Sequence, residues 1–393
     1  MVYMKKNLKL LCLFFICLST SYHLISQTIA AGFCYTVILD EEGYVWTFGY
    51  GVHGNLGYGN KQSQLIAKRI DGITKIIAIA SSNYNTVMLD EDGYVWTCGL
   101  GDCGQLGHGD IQSKFIPKKI ENITDITKID IGDCHIVLLD KYAKVWTCGN
   151  INNSGQLGHG NTQNQAYLKA IEEILSIKGI AAGREHTVLL GKNSSVWTCG
   201  NNEYGQLGHM DRENQSRPKQ IEGIINIVQV AVGSYHTVLL DKDGNVWTCG
   251  LGDCGQLGHG DIQNQFIPKQ IEGITNIAQV AAGSYHTVLL DEEGNVWTFG
   301  QGNYGQLGHG DKQSQLIPKQ IESITHIAEV AAGHSHTILL DTEGEVWSFG
   351  NGFFGGLGHG DTQNQLYPKK IQKFSIALQV ANRFKKIKSA RKI

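Results

Sequence analysis

The stretch HTVLLDEEGNVWTFGQGNYGQLGHGDKQSQLIPKQIE, residues 286–322, recurs nearly letter for letter along the chain. Its Trp297 has counterparts at Trp46, Trp96, Trp146, Trp197, Trp247 and Trp347, five steps of 50 residues and one of 51. Self-similarity at this period marks a repeat architecture in which each unit needs its neighbours to bury its apolar surface. Working outward from the quoted copy, residues 279–282 form a short apolar run ending at Gly283, and 286–291 read as a second strand. Glu292-Glu293-Gly294 form a hairpin turn into 295–299, a third strand. After the glycine-rich loop 300–311, residues 316–321 supply a fourth, with Pro318 suited to a strand start or edge.

Val288, Leu289, Leu290, Val296, Trp297 and Phe299 leave this small sheet apolar on both faces. Stacking such sheets around an axis covers both faces, and seven of them close a ring with no end blade exposed. The predicted fold class is therefore all-β, a seven-bladed β-propeller of four-stranded antiparallel blades over residues 27–377. The Trp rings are expected between adjacent blades. A terminal strand is expected to close the ring, and residues 29–32 and 378–381 both fit the same strand slot. Such a closed ring is expected to be a monomer.

Glycine accounts for 49 of the 393 residues and recurs at fixed offsets, which indicates repeated tight turns and argues against a disordered chain. A formal net charge of −3, with 18% charged residues, provides no overall attraction for nucleic acid. Ten cysteines would suggest a disulfide framework in a small secreted domain, but this chain is large and places them by repeat position. Cys98, Cys148, Cys199 and Cys249 share the slot of Phe48, Phe299 and Phe349, so that slot reads as buried and apolar. Its thiols are expected to be free, because equivalent slots in neighbouring blades lie beyond the Cα separation of about 7 Å that a disulfide can bridge.

The two ends stand outside the repeat. Residues 1–26 carry Lys5 and Lys6, an apolar run over 10–18, and the small residues Ser19 and Ser21, a pattern that resembles a secretory signal and implies export. The run is shorter than the roughly 20 residues of a membrane span. The alternative is a hydrophobic segment docked on a propeller that stays in the cytoplasm or nucleus. At the other end, residues 378–381 begin an eighth copy of the first strand. The segment 378–393 then continues into a basic tail of Arg383, Lys385, Lys386, Lys388, Arg391 and Lys392. This tail reads either as a solvated terminus or as a patch for nucleic acid, acidic protein or anionic lipid.

The recurring strings GxxHTVLLD, GxVWTxG, GxxxGQLGHGD and PKxI resemble the repeat of the regulator of chromosome condensation family. In one unit Gly283, His286, Thr287, Gly294, Val296, Trp297, Gly300, Gly305, Gln306, Leu307, Gly308 and Gly310 carry the match. Kelch propellers share the period but have a paired-glycine signature that is missing here, and the Trp-Asp end of WD repeats is also missing. The resemblance implies either a protein-interaction module or a guanine-nucleotide exchange factor for the small GTPase Ran. Exchange in that family is associated with one propeller face and a protruding hairpin wedge. The only insertion here is one residue in the loop 150–154, which leaves no room for a wedge. A non-enzymatic interaction propeller without cofactor is therefore expected, with regulation of a Ran-like GTPase as the alternative.

Uniformity points the same way. Residues 100–116 and 251–267 differ only at Ser113 against Asn264 and Lys114 against Gln265, whereas catalysis on an asymmetric substrate needs one unlike place. His135, His186, His236, His286 and His336 repeat one slot, and His108, His159, His209, His259, His309 and His359 repeat another. Spread around a ring, they read as structural hydrogen-bonding groups, not as converging zinc ligands; His334 with His336 is the one plausible local pair. The GQLGHGD loop lacks the Lys-Ser/Thr of a phosphate-binding loop and reads as backbone geometry with Leu307 plugged inward. Partner specificity must then use the loop positions at which units differ: His53, Asp102-Cys103, Asn152, Asn153, Glu203, Tyr204, Asp253-Cys254, Asn303, Tyr304, Phe353 and Phe354. The aromatic ones are candidate anchors for a protein partner.

Overall fold

The structure is a computed structural model and describes residues 28–375 apart from 150, 173 and 175. The signal-like segment 1–26, the strand candidate 378–381 and the basic tail lie outside the described residues. Seven antiparallel sheets of four strands make up the described chain, and within each sheet the strands neighbour one another in chain order. The sixth unit shows how the sequence produces a blade. Its strands are Ile277–Ala282, His286–Asp291, Val296–Gly300 and Gln315–Gln320, within two residues of those read from the pattern. Pro318 lies on the fourth strand, which is paired on one side only, where its missing N–H costs no ladder bond.

The hairpin, the aspartate and the tryptophan act together. Gly294 takes φ +86°, a conformation open to glycine, and donates its N–H to the Asp291 carbonyl at 3.2 Å. One Asp291 carboxylate oxygen accepts the N–H groups of Glu293 and Asn295, while the other accepts the Trp297 indole N–H at 3.2 Å. The fourth unit has Gly191 in place of the aspartate, and there Ser195 Oγ accepts from Trp197 instead.

Consecutive strand residues face opposite neighbours. Leu289 and Phe299 pack with Val238, Leu240 and Val246 of the fifth blade, whereas Val288, Leu290 and Val296 pack with Val330, Leu339 and Phe349 of the seventh. This is why the strand is apolar on both faces, and burying each such leucine stabilises the ring by about 1.5–3 kcal/mol. The Trp rings are partly buried at these same boundaries, Trp297 against the fifth blade. Cys98, Cys148, Cys199 and Cys249 have no exposed area, like Phe48, Phe299 and Phe349, and are free thiols.

Of the two candidates for the innermost slot, the N-terminal one fills it: Ile29–Ala31 pairs with Tyr35–Leu39 of its own blade. The first blade is thus built from consecutive strands, and closure is by packing of blade on blade. Ile29, Ile38 and Phe48 meet Ile338, Leu340 and Val346 of the seventh blade. Glu329 accepts the Thr28 N–H at 2.9 Å, the counterpart of Gln279, whose amide oxygen accepts the Val330 N–H at 3.2 Å. A girdle of backbone bonds from each glycine-rich loop to the next blade's fourth strand also closes, through Gly310 to Leu366 at 2.9 Å and Gly360 to Leu65 at 3.0 Å.

Candidate functional site

Because strands alternate in direction, the loop after the first strand and the loop after the third emerge on the same face of every blade. Beneath that face lies a ring of hydrogen bonds. His135, His186, His236, His286 and His336 are fully buried. The Nε2 of each meets a threonine hydroxyl of the following blade, namely Thr187, Thr237, Thr287, Thr337 and, across the closure, Thr36, at 2.9–3.2 Å. Thr187, Thr237, Thr287, Thr337 and Thr36 donate their own protons to loop carbonyls at 2.7–2.9 Å, so the imidazole N–H is the donor. Burial holds these rings neutral, pushing His186 and His286 down to about 3 and His135, His236 and His336 to about 4. Each ring needs a glycine beneath it: a Cβ on Gly283 would stand 2.3 Å from His286 Cε1.

The second histidine slot serves its own blade, as when His309 Nε2 meets Thr298 Oγ1 at 3.0 Å. Leu307 is buried beside it, plugged inward as its sequence context suggested. His334 and His336 do not converge, since His334 Nδ1 meets Ser284 Oγ at 2.8 Å while His336 turns to Thr36. Among the described residues no group of three or more His, Cys, Asp or Glu side chains is gathered to hold a metal ion.

On the face itself, Asp102, Asn153, Glu203, Asp253, Asn303, Phe353 and Phe354 are exposed, and His53, Tyr204 and Tyr304 are half-buried. Asn152 differs from the others. Its side chain is buried and holds its own loop, donating to the Asn161 and Gln163 carbonyls and accepting from the Leu157 N–H. The structure also brings in a second set of residues, of which only His334 had drawn notice in the sequence, and then as a metal ligand. These follow the residue that ends each first strand, a glycine in every blade but the second, where it is Ser82, and they surround the mouth of the central channel, among them Asp133, Arg184, Ser284 and His334.

The two sets meet in a chain of aromatic contacts. Ring centroids are 5.4 Å apart for Tyr204 and Tyr235, 6.1 Å for Tyr235 and Tyr285, and 6.3 Å for Tyr285 and His334. The series continues through Phe33 at 5.0 Å from His334, Tyr84 at 5.7 Å from Phe33, and His53 at 4.5 Å from Tyr84. Tyr50 then links to Phe354 at 4.6 Å. This arc leaves one gap, and charge fills it. The Arg184 Nε lies 3.9 Å from both Asp133 and Glu185 carboxylates, and its guanidinium donates to the Tyr235 hydroxyl and lies over that ring at 5.3 Å. Burial pushes Asp133 up to about 6 even though Arg184 opposes the shift. Aromatic edges beside a guanidinium and two carboxylates suit recognition of a protein surface. The signal for the second set was present, since the two residues after that position also vary from unit to unit.

The RCC1-like domain matches residues 68–390, and the regulator of chromosome condensation (RCC1) repeat matches residues 42–89. Among solved structures, human WBSCR16 is similar with a TM-score of 0.75 at 23% identity, over 84% of this chain and 93% of that one. Prp20p from Saccharomyces cerevisiae, a protein characterised for binding to Gsp1p and histones, gives 0.77 at 23% identity over 85% and 87%. Yeast RCC1 (Prp20) bound by Kap60 gives 0.77 at 21% identity over 94% and 91%. No curated protein sequence matches significantly. Such identities to solved structures establish a shared fold, and the domain match over most of the chain establishes kinship. With its seven RCC1-type units closed into one ring, the chain belongs to the regulator of chromosome condensation (RCC1) family.

Proposed function

We propose that this propeller is a non-enzymatic interaction module whose protein partner docks on the channel-mouth face. One observation carries the reading: both loop sets in which otherwise near-identical blades differ emerge on that face, where their aromatic rings contact one another and flank Arg184, Asp133 and Glu185. Aromatic residues and arginine are the side chains that most often dominate protein interfaces. A second reading, regulation of a Ran-like GTPase by nucleotide exchange, is favoured by the family and by the likeness to Prp20p.

One experiment separates them. Purified propeller is added to a nucleotide-loaded Ran-type GTPase and release is followed, while affinity capture compares the wild type with Tyr235→Ala and Arg184→Ala. No acceleration of release at saturating propeller, together with capture of a protein that both variants lose, supports the interaction module. Acceleration sensitive to the same variants makes the protein an exchange factor, and capture indifferent to both removes this face from the reading. We propose further that residues 1–26 direct export, which N-terminal sequencing checks: a mature chain still starting at Met1 overturns it. The basic tail is proposed to be a solvated terminus, and loss of partner binding on deletion from Arg383 would overturn that.

A further inference from the structure

We propose that Cys103 and Cys134 form a redox-controlled disulfide clip between the second and third blades. Cys103 lies in the loop after the third strand of its blade, and Cys134 follows Gly132 at the end of the next blade's first strand. The repeat brings these two slots together across blade boundaries, as the His53–Tyr84 and Tyr204–Tyr235 ring contacts show at two others. Elsewhere at most one member is a cysteine, with Cys254 in the slot facing Tyr285 and Cys34 in the slot facing Phe354. Only the second boundary pairs two thiols, and their sulfur atoms are 3.5 Å apart.

A disulfide needs about 2.05 Å between sulfurs, so the pair has about 1.5 Å to close, a distance within reach of side-chain rotation on two loops. Cys98, Cys148, Cys199 and Cys249 have no such partner and no exposed area. Cys134 is half-buried and Cys103 is 7% exposed, which makes Cys134 the thiol that a reagent meets first. Cys103 Sγ lies within hydrogen-bonding distance of both Cys134 Sγ and the Asp102 carboxylate, the latter at 3.3 Å, and its one proton serves one of them at a time. These neighbours and burial raise the Cys103 pKa, so it stays protonated until it acts as the resolving group.

The oxidant is a small disulfide such as glutathione disulfide. Cys134, as thiolate, attacks one sulfur of that disulfide, forming a mixed disulfide and releasing one glutathione thiolate. Cys103 then attacks Cys134 Sγ and expels the second glutathione, its proton passing to the departing glutathione thiolate. Two protein thiols are oxidised and one glutathione disulfide is reduced to two thiols. The clip lies at one edge of the gap in the aromatic arc, next to Asp133, and fixes the second and third blades to each other on that face. The inference rests on the thiol geometry and is independent of the partner reading.

The test uses full-length protein equilibrated in glutathione buffers from reducing to oxidising, trapped by alkylation and mapped without reduction. The expected result is one linked peptide joining Cys103 to Cys134, with a loss of two alkylatable thiols, while Cys254 gains no intramolecular partner. In Cys103→Ser, Cys134 is expected to stop at the glutathione adduct. Oxidised wild type is expected to melt at a higher temperature than reduced wild type, a difference absent from Cys103→Ser and Cys134→Ser, because the bond closes a loop across two blades. Failure of the link at the most oxidising ratio, with both thiols still alkylatable or Cys134 arrested as the adduct in the wild type, overturns the proposal. A link that forms only in denaturant overturns it as well.

Discussion

Acidification from about pH 7 to about pH 5.5 is expected to weaken the fold by about 5 kcal/mol through the five fully buried histidines alone, net of two buried aspartates. In the ring they are held at about 3 or about 4 by burial. In the unfolded chain the same side chains titrate near 6.5. The folded value is the lower one, so below about pH 6.5 the unfolded chain binds protons that the fold refuses. Their contribution is complete above that pH and is lost as pH falls toward about 4. At about pH 5.5 each imidazole has cost about 1.2 kcal/mol relative to pH 7, and the five together about 6. Asp130 and Asp133 act in the opposite sense: burial raises each to about 6, so they take up protons in the fold. Together they offset about 1.5 kcal/mol over the same interval. The half-buried second-slot histidines, such as His309, are pushed down to about 4 and add to the loss. Urea unfolding at a series of pH values reads the effect as a falling midpoint. His286→Asn, which borrows the residue of Asn85 in the same slot, is expected to flatten the profile by one proton. A midpoint constant between pH 7 and 5.5, or a variant profile parallel to the wild type, would refute the neutral-imidazole reasoning.

Thr287→Val removes the hydroxyl that joins His236 to the Gln256 carbonyl, at 3.0 Å and 2.8 Å, and is expected to cost about 2–3 kcal/mol by urea unfolding. Trp297→Ala is expected to cost about 2–4 kcal/mol, from the packing lost against the fifth blade and the bond to Asp291; a loss below about 1 kcal/mol would contradict the boundary role. Gly283→Ala places a methyl 2.4 Å from the Gly333 carbonyl as well as against His286, and a clear fall in melting temperature is expected. Tyr235→Ala and Arg184→Ala are expected to weaken partner binding at least about tenfold with little change in melting temperature. Calorimetry with the captured partner checks this, and unaltered affinity would place the docking site elsewhere.

Much of this was legible from the chain because a repeat gives every local environment several witnesses. The Phe-or-Cys slot read as buried, and the recurring histidines read as structural, because one residue type in a ring of equivalent places implies one role. The loop positions were harder. Asn152 and Asn153 are adjacent and chemically identical, yet one side chain is buried holding the loop and the other is exposed, a difference set by side-chain direction within a non-repetitive turn.

What the sequence by itself determined is the blade and the ring: an evenly spaced Trp, an Asp-x-x-Gly hairpin and strands apolar on both faces leave stacking around an axis as the way to bury them. What only the tertiary structure decided is which loops touch across a boundary. Tyr204 reaches Tyr235 and Cys103 reaches Cys134 at a separation of 31 residues because closure sets one blade's outer loop against the next blade's inner loop. That contact depends on the angle between sheets, a property of the assembled ring that no single unit encodes.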